Sequence, residues 1–223
     1  MYISCYRNFS IVIEYSILYY EVEVIIMGSK EKSFDDIIKE LCLADEINLS
    51  DIPKIDLYAE QVIGFIEDQM CHVKRNENDK LITKTMVGNY TRDGVLMPSK
   101  NKKYSKNHII MLILIYNLKQ ILSIEDIKTL FSPIMKDIST DVDDVIPLED
   151  IYSTLLDIKS IEFECFGDVF NEKFKLIQER LEHVDSQDKD IAEIFLTIIT
   201  LIAQANAQKR LAEKLIDKYF KQV

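Results

Sequence analysis

The sequence predicts a mainly α fold in which a basic head is followed by an acidic helical C-terminal domain. Three observations lead to this prediction. Apolar residues recur at helical spacing along most of the 223 residues, five glycines and four prolines leave little material for irregular segments, and basic residues concentrate in one stretch. The 48% of hydrophobic residues can bury a sizeable core, and no repeat of fixed period is present. We therefore expect a globular helical protein.

The basic stretch lies between residues 74 and 106, where nine basic residues stand against three acidic ones, a local balance of +6. The whole chain carries −11, so the remainder, −11 less +6, carries −17. The field of a surface charge fades over roughly 10 Å at 0.1 M salt, so a polyanion senses the local sign rather than the total. The charge pattern indicates a surface that could meet nucleic acid.

Residues 1–26 are apolar but contain Glu14, Glu21 and Glu23. Such charges are untypical of a secretory signal or a membrane span. Residues 20–26 alternate like a strand, whereas Met27 and the polar residues after it resemble an ordinary protein start. We interpret residues 1–26 as an uncertain N-terminal extension and expect no association with a membrane.

The residue types that carry most catalytic and metal chemistry are scattered. No CxxC pair, no His at metal-ligand spacing, no phosphate-binding glycine loop and no nucleophile motif is present. We expect no enzyme activity, no metal, no cofactor and a cytoplasmic location, with each cysteine a small buried hydrophobe. These residues are Cys5, Cys42, Cys71 and Cys165, and His72, His108 and His183.

Two helices are predicted before the basic stretch. Ser33 can cap a short amphipathic helix within an N-terminal segment, residues 27–50. The second helix is predicted from helical spacing that continues to about Met70, and residues 74–80 should form an exposed loop. Its apolar positions are Ile55, Tyr58, Ala59, Val62, Phe65 and Ile66.

A short helix with one polar face is predicted from Thr83 to Arg92. Thr83 suits the N-cap, and Asp93 with Gly94 suits the end of the helix. The inward face holds Ile82, Met86, Val87 and Tyr90, and the outward face holds Lys84, Thr85, Gly88, Asn89 and Arg92. Gly88 lowers helix propensity by about 1 kcal/mol relative to Ala, so its presence needs a reason.

A compact basic loop, residues 100–104, precedes an apolar run at 109–116 that predicts the central buried helix of the domain. Ser123 and Asp126 cap a further helix, and Pro133 is expected to close the unit. The acidic segment 137–144 is the best domain boundary, and Pro147 suits the start of a helix towards Lys159.

Two more helices are predicted in the C-terminal domain. Phenylalanines at 163, 166, 170 and 174 are most simply core residues of the first, with Gly167 its weak point. The last has an apolar stripe between Asp190 and Tyr219, and such a stripe needs an apolar partner. It is formed by Ile191, Ile194, Phe195, Ile198, Ile199, Ile202, Leu211, Leu215 and Tyr219.

The order of polar-faced helix, Asp-Gly stop, Leu-x-Pro, basic loop and apolar helix resembles the winged helix-turn-helix of MerR-type transcription regulators. Residues 51–56, 81–86, 89–90 and 103–105 resemble a bacterial family filed as a domain of unknown function and suspected of MerR-like DNA binding. The resemblance covers residues 51–131. One departure is the loop 70–80, which is longer than the turn that joins the first two helices in MerR-type heads.

By position, the resemblance implies that residues 83–92 are a recognition helix and residues 97–104 a wing. It also implies a MerR-like domain at 51–136 and a helical domain at 145–223 that pairs two subunits into a homodimer on double-stranded DNA. The predicted DNA-binding residues are Lys84, Thr85, Asn89, Arg92, Lys100, Lys102, Lys103 and Tyr104. The alternatives are a solvated helix face for the first four, solvated lysines in the loop, a packed hinge for Tyr104, and a helical protein-interaction adaptor for the whole protein.

Overall fold

The computed structural model describes residues 34–135, 147–184 and 186–221, and the chain divides into two compact units between Cys42 and Leu43. The described residues are mainly helical, as predicted. The N-terminal extension, Cys5, Ser33 and the acidic segment 137–144 lie outside them, so the expectations for these positions stay predictions. Helix α1, Phe34–Glu40, is the described element of the first unit and buries no side chain.

The second unit contains two short strands and the remaining helices. Strands β1 and β2 pair antiparallel, with Leu57 opposite Tyr104 and Tyr58 opposite Lys103. A short 3-10 turn, Cys71–Val73, follows α2. In chain order the elements are β1 (Leu57–Tyr58), α2 (Ala59–Gln69), α3 (Lys84–Arg92), β2 (Lys103–Tyr104), α4 (Lys106–Leu118), α5 (Ile124–Met135), α6 (Leu148–Glu164), α7 (Phe166–Arg180) and α8 (Ser186–Tyr219).

Helix α4 is the centre of the core, which confirms the prediction for the apolar run. All residues from Ile109 to Ile115 are buried, because α2, α3, α5 and the first half of α6 contribute apolar side chains around it. The core runs from Ile47 to Tyr152 in the sequence, and the Tyr152 hydroxyl donates a hydrogen bond to the Ile47 carbonyl at 2.7 Å. The first and last core residues are therefore joined directly.

Two predicted helix boundaries are wrong. Helix α2 begins at Ala59, because the Tyr58 backbone pairs with Lys103 in the sheet and the Tyr58 N–H donates to Gln61 Oε1 at 2.9 Å. Pro133 does not end its helix, which continues to Met135. A proline removes only one intrahelical hydrogen bond through its missing N–H, and so close to the helix end that loss is small.

The expectation of buried cysteines is wrong for Cys71 and Cys165, which are exposed, and Cys42 is half-buried. Both exposed cysteines lie where helices end at the surface, Cys71 in the 3-10 turn and Cys165 between α6 and α7. In the described ranges Cys71 and Cys165 are free thiols, and no group of three His, Cys, Asp or Glu side chains could hold a metal ion.

The three C-terminal helices form a second packed group. Helix α7 packs on both α6 and α8, and the end of α8 returns to α5, where Ile216 is buried and Lys221 Nζ lies 3.7 Å from Asp126 Oδ1. By length and composition the Asp188–Tyr219 part of α8 could cross a membrane, yet only 11% of its most apolar window is buried within the chain. The predicted stripe of this helix is thus largely uncovered.

Candidate nucleic-acid interface

Helix α3 is fixed at both ends by the residues that the sequence assigned to those ends. The Thr83 side chain accepts a hydrogen bond from the Met86 N–H at 3.2 Å. Gly94 adopts a left-handed conformation with φ of 73°, which lets the Val95 N–H reach the Tyr90 carbonyl at 2.8 Å. The inward side chains Val87 and Tyr90 are buried, so the opposite face of α3 points to solvent.

The long loop before α3 is anchored by Glu67. Its carboxylate accepts hydrogen bonds from the Leu81 N–H at 2.7 Å and the Ile82 N–H at 3.4 Å, and it pairs with Lys74 Nζ at 2.5 Å. Partial burial raises the pKa of Glu67, but the bonds from Lys74, Leu81 and Ile82 outweigh this effect and hold the pKa below its usual value. Lys119 Nζ also donates to the Leu81 carbonyl at 3.2 Å. The end of the loop therefore has a defined position.

The outward face of α3 carries the residues predicted for it. Lys84, Thr85 and Arg92 are exposed and Asn89 is half-buried. Gly88 is also exposed, and a Cβ built on it would meet no other described atom within 4 Å. Packing inside the chain therefore does not require glycine at this position.

Acidic residues neutralise two of the predicted cations. Lys84 Nζ lies 2.5 Å from Glu60 Oε1, and Arg92 Nε lies 3.3 Å from Asp93 Oδ1. The bond with Lys84 lowers the pKa of Glu60, and the same bond raises the pKa of Lys84. Glu60 stands 24 residues before Lys84 on a different helix, so helical spacing gave no signal of this pair.

The predicted wing contains a tight turn from Lys100 to Lys103. These two residues exchange backbone hydrogen bonds of 3.1 and 3.0 Å. The two residues between them, Asn101 and Lys102, have positive φ values of 55° and 62°. Asn tolerates this left-handed conformation, whereas for Lys it costs roughly 1–2 kcal/mol. The turn thus holds the exposed Lys102 at its tip at a cost in backbone energy.

The base of the turn is held by aromatic contacts. Lys103 Nζ lies 5.4 Å from the centre of the Tyr58 ring. Tyr104 is half-buried and packs edge-on against His108, with ring centres 5.4 Å apart. The buried His108 accepts from the Ser105 N–H at 3.1 Å, and its other ring nitrogen is 3.3 Å from the Pro98 carbonyl oxygen. Burial lowers the pKa of His108, which favours the neutral ring. Tyr104 thus packs between the turn and His108 and holds the base of the turn in place.

The start of α2 connects the helix face with the turn. Tyr58 contacts Lys103 of the turn, and Glu60, two residues later, pairs with Lys84 of α3. Lys84 and the basic turn are therefore neighbours at one end of the surface, and Arg92 lies at the other end. There a Cβ on Gly94 would lie 3.6 Å from Lys128 Nζ. Sequence reasoning missed Tyr58, Glu60 and Lys128 as members of this surface.

These features define a helical domain whose core and candidate surface both lie between Ile47 and Tyr152. Residues 47–155 match the model of a family described as a domain of unknown function, DUF1836. The match supports the expected domain-of-unknown-function family and includes the whole core and all eight predicted site residues. Helices α7 and α8 lie outside it. No curated protein and no solved structure matches the chain.

Proposed function

We propose that the protein binds duplex DNA as a transcription regulator, with α3 in the major groove and the turn from Lys100 to Lys103 on the phosphate backbone. The observation that carries the proposal is that an exposed polar helix face and a basic turn are neighbours around Tyr58 and Glu60. A helix fits the major groove, and lysines on an adjacent turn can contact phosphates without reading sequence.

The residue types suit this role. Arg92 can form a bidentate contact with guanine and Asn89 with adenine, and one good base contact gives about 1–3 kcal/mol of discrimination. Gly88 between them lets the helix backbone approach DNA closely. The strained backbone at Lys102 supports the same proposal, because such conformations cluster at functional sites.

Glu60 has a defined part in this proposal. Its carboxylate must release Lys84, or move with it, before Lys84 can approach a phosphate or base. We therefore expect Glu60→Gln to tighten binding and to make binding more sensitive to salt, since one more cation then becomes available to displace counterions. If the Glu60→Gln variant binds DNA no tighter than the parent protein, Lys84 is not part of the DNA-binding interface.

The proposal is tested by selecting tight binders from random duplexes and then measuring fluorescence anisotropy on the selected sequence. Arg92→Ala should weaken binding to the selected duplex by about 1–3 kcal/mol and reduce its preference over random DNA. Lys102→Ala should lower the slope of log K against log salt by about 0.9 for each lost phosphate contact. Arg180→Ala and Lys175→Ala, which are exposed on α7, are charge-matched controls. Salt-insensitive binding, or equal effects of the controls, would overturn the proposal.

A second candidate is a protein-interaction adaptor whose head has no DNA role. It is favoured by the pairing of Lys84 with Glu60 and of Arg92 with Asp93, because each of these ion pairs has a net charge of zero. The double variant Lys84→Glu, Arg92→Glu separates the two functions. Under the adaptor function the variant retains the cellular phenotype of the parent protein, whereas a DNA regulator loses it.

A further inference from the structure

Lys128 of α5 lies beside the C-terminal end of α3. A Cβ built on Gly94, two residues after α3, would be 3.5 Å from Lys128 Cε and 3.6 Å from Lys128 Nζ. The Lys128 side chain therefore passes close to the backbone of the turn that closes α3. Its ammonium group stands at the end of the outward face that carries Arg92.

The Lys128 ammonium is available to an anion. Lys128 is exposed, and among the described residues it has no ion-pair partner. Glu125 lines the same cleft, between α5 and the end of α8, but does not pair with it. Arg92, the predicted cation at this end of α3, is instead held by Asp93 at 3.3 Å. Lys128 can therefore contact an anion without first leaving an acid.

The basic turn supplies available cations at the other end of α3. Lys100 and Lys102 are exposed, and neither belongs to an ion pair within the part of the chain that the structure describes. The turn adjoins the start of α3, because Tyr58 contacts the turn and Glu60, two residues later, pairs with α3. Lysines that are not paired with acids therefore lie beyond both ends of α3.

The length of α3 matches the width of the major groove. Its 9 residues, Lys84–Arg92, rise about 12 Å from the first to the last. The major groove of B-DNA is about 12 Å wide, and the phosphates of a different strand border each of its two sides. A helix of this length that lies across the groove has one end at each side. Cations beyond its two ends then meet phosphates of different strands.

We propose that Lys128 contacts a backbone phosphate on the strand opposite to the one that the basic turn contacts. The duplex is then held from both sides of its major groove. This inference rests on the proposed DNA-binding function and adds a contact that comes from α5 rather than from α3 or the turn. It also specifies the ligand more closely, because only a duplex holds two strands at a fixed separation of this size.

A purely structural role for Lys128 gives different expectations. An ammonium group beside the C-terminal end of a helix stabilises the partial negative charge of that end. Loss of this effect alone would lower the thermal unfolding temperature of the free protein and leave the salt dependence of DNA binding unchanged. Loss of a phosphate contact lowers the salt dependence, because fewer counterions are released on binding. The salt dependence therefore separates the two roles.

The first test measures anisotropy on the selected duplex at a series of salt concentrations. Lys128→Gln removes the charge and should lower the slope of log K against log salt by about 0.9. A tenfold rise in salt should therefore weaken the variant about eightfold less than it weakens the parent protein. Lys128→Arg keeps the charge and should keep the parent slope. Lys221→Gln is the matched control, because Lys221 lines the same cleft but is held by Asp217 at 2.7 Å.

The outcomes of this test separate the contact of Lys128 from the function on which it rests. Salt-insensitive binding by the parent protein would overturn both. If Lys102→Ala lowers the slope and Lys128→Gln leaves it unchanged, the protein binds DNA through the turn and the proposal for Lys128 is wrong. An equal loss for Lys221→Gln would also overturn that proposal, since the effect would then follow from net charge alone.

Phosphate substitution tests which strand each lysine contacts. Phosphates of the selected duplex are replaced one at a time by uncharged methylphosphonates, and affinity is measured for the parent protein, Lys102→Ala and Lys128→Gln. A replacement that weakens the parent protein but not a variant marks the phosphate that the missing lysine contacts. The phosphates marked by the two variants should lie on opposite strands across the major groove. Marks on the same strand, or no mark for Lys128→Gln, would overturn the proposal.

Discussion

Two helices of this protein are rich in Ile and Leu, and the fold treats them in opposite ways. In α4 every residue from Ile109 to Ile115 is buried by the surrounding helices. In α8 Phe195, Ile198, Ile199 and Ile202 are exposed, while Glu193 of the same helix is buried and accepts a hydrogen bond from Gln178 of α7. Apolar composition therefore indicates that a helix must be covered, but not whether its own chain covers it.

The largest expected effect comes from removing one apolar side chain from each helix. Ile113→Ala should reduce the free energy of unfolding by about 2–5 kcal/mol, because it leaves a cavity in the core. Ile199→Ala should change it by less than about 0.5 kcal/mol. Urea unfolding of each variant beside the parent protein measures both changes in the free energy of unfolding. Comparable losses in the free energy of unfolding for the two variants would contradict the view that α4 is buried and the apolar side of α8 is exposed.

Tyr152→Phe tests whether α6 belongs to the core around α4. The variant leaves the Ile47 carbonyl without its donor and should cost about 1–3 kcal/mol. Burial raises the pKa of Tyr152 from 10.0 to about 12. The contribution of the Tyr152 hydroxyl to the free energy of unfolding is therefore fully present below pH 10.0 and is lost as the pH rises towards about 12. The Phe variant has no hydroxyl and should not show this loss. Tyr219→Phe, on the exposed end of α8, is the control.

Two glycine substitutions compare the outward face of α3 with an ordinary helix position. Gly88→Ala and Gly64→Ala both fill open space, and each should stabilise the fold by about 0.5–1 kcal/mol. Only Gly88→Ala should weaken DNA binding, because its methyl group would stand between the helix and DNA. Thermal unfolding and anisotropy together measure the two effects. If Gly88→Ala binds DNA as tightly as the parent protein, Gly88 is not part of the DNA-binding interface.

The smallest expected effect is the pH dependence at the start of α4. Burial lowers the pKa of His108 from 6.5, so its contribution to stability is present above pH 6.5 and is lost as the pH falls towards the lowered value. Urea unfolding over this pH range should show a loss of stability that His108→Gln reduces. His183→Gln, an exposed position, should leave the loss unchanged. A pH dependence identical in all three proteins would contradict the expectation.

Much of the fold could be predicted from local patterns. The apolar run of α4, the caps at Thr83 and Ser123, and the stop at Gly94 depend on residues within a few positions of one another, and each is confirmed. The start of α2 could not be predicted, because a pairing of Tyr58 with Lys103, 45 residues away, decides it. Propensity alone does not report such distant contacts.

The candidate site shows the same limit. Its exposed polar face followed from helical spacing and was found as expected on α3. The acids that modify the surface come from α2, namely Glu60 beside Lys84 and Glu67 beneath the loop end. A local charge balance of +6 therefore overstates the field at this surface, since it counts only residues that are close in sequence.

The hydrogen bond between Tyr152 and Ile47 holds the two ends of the matched domain, residues 47–155, close together. A domain whose ends meet can be joined to other segments without distortion of its own structure. Residues 47–155 can then be joined to different C-terminal segments, and in this chain that segment contains α7 and α8. A different C-terminal segment could follow the same domain while the surface formed by α3 and the basic turn stays the same.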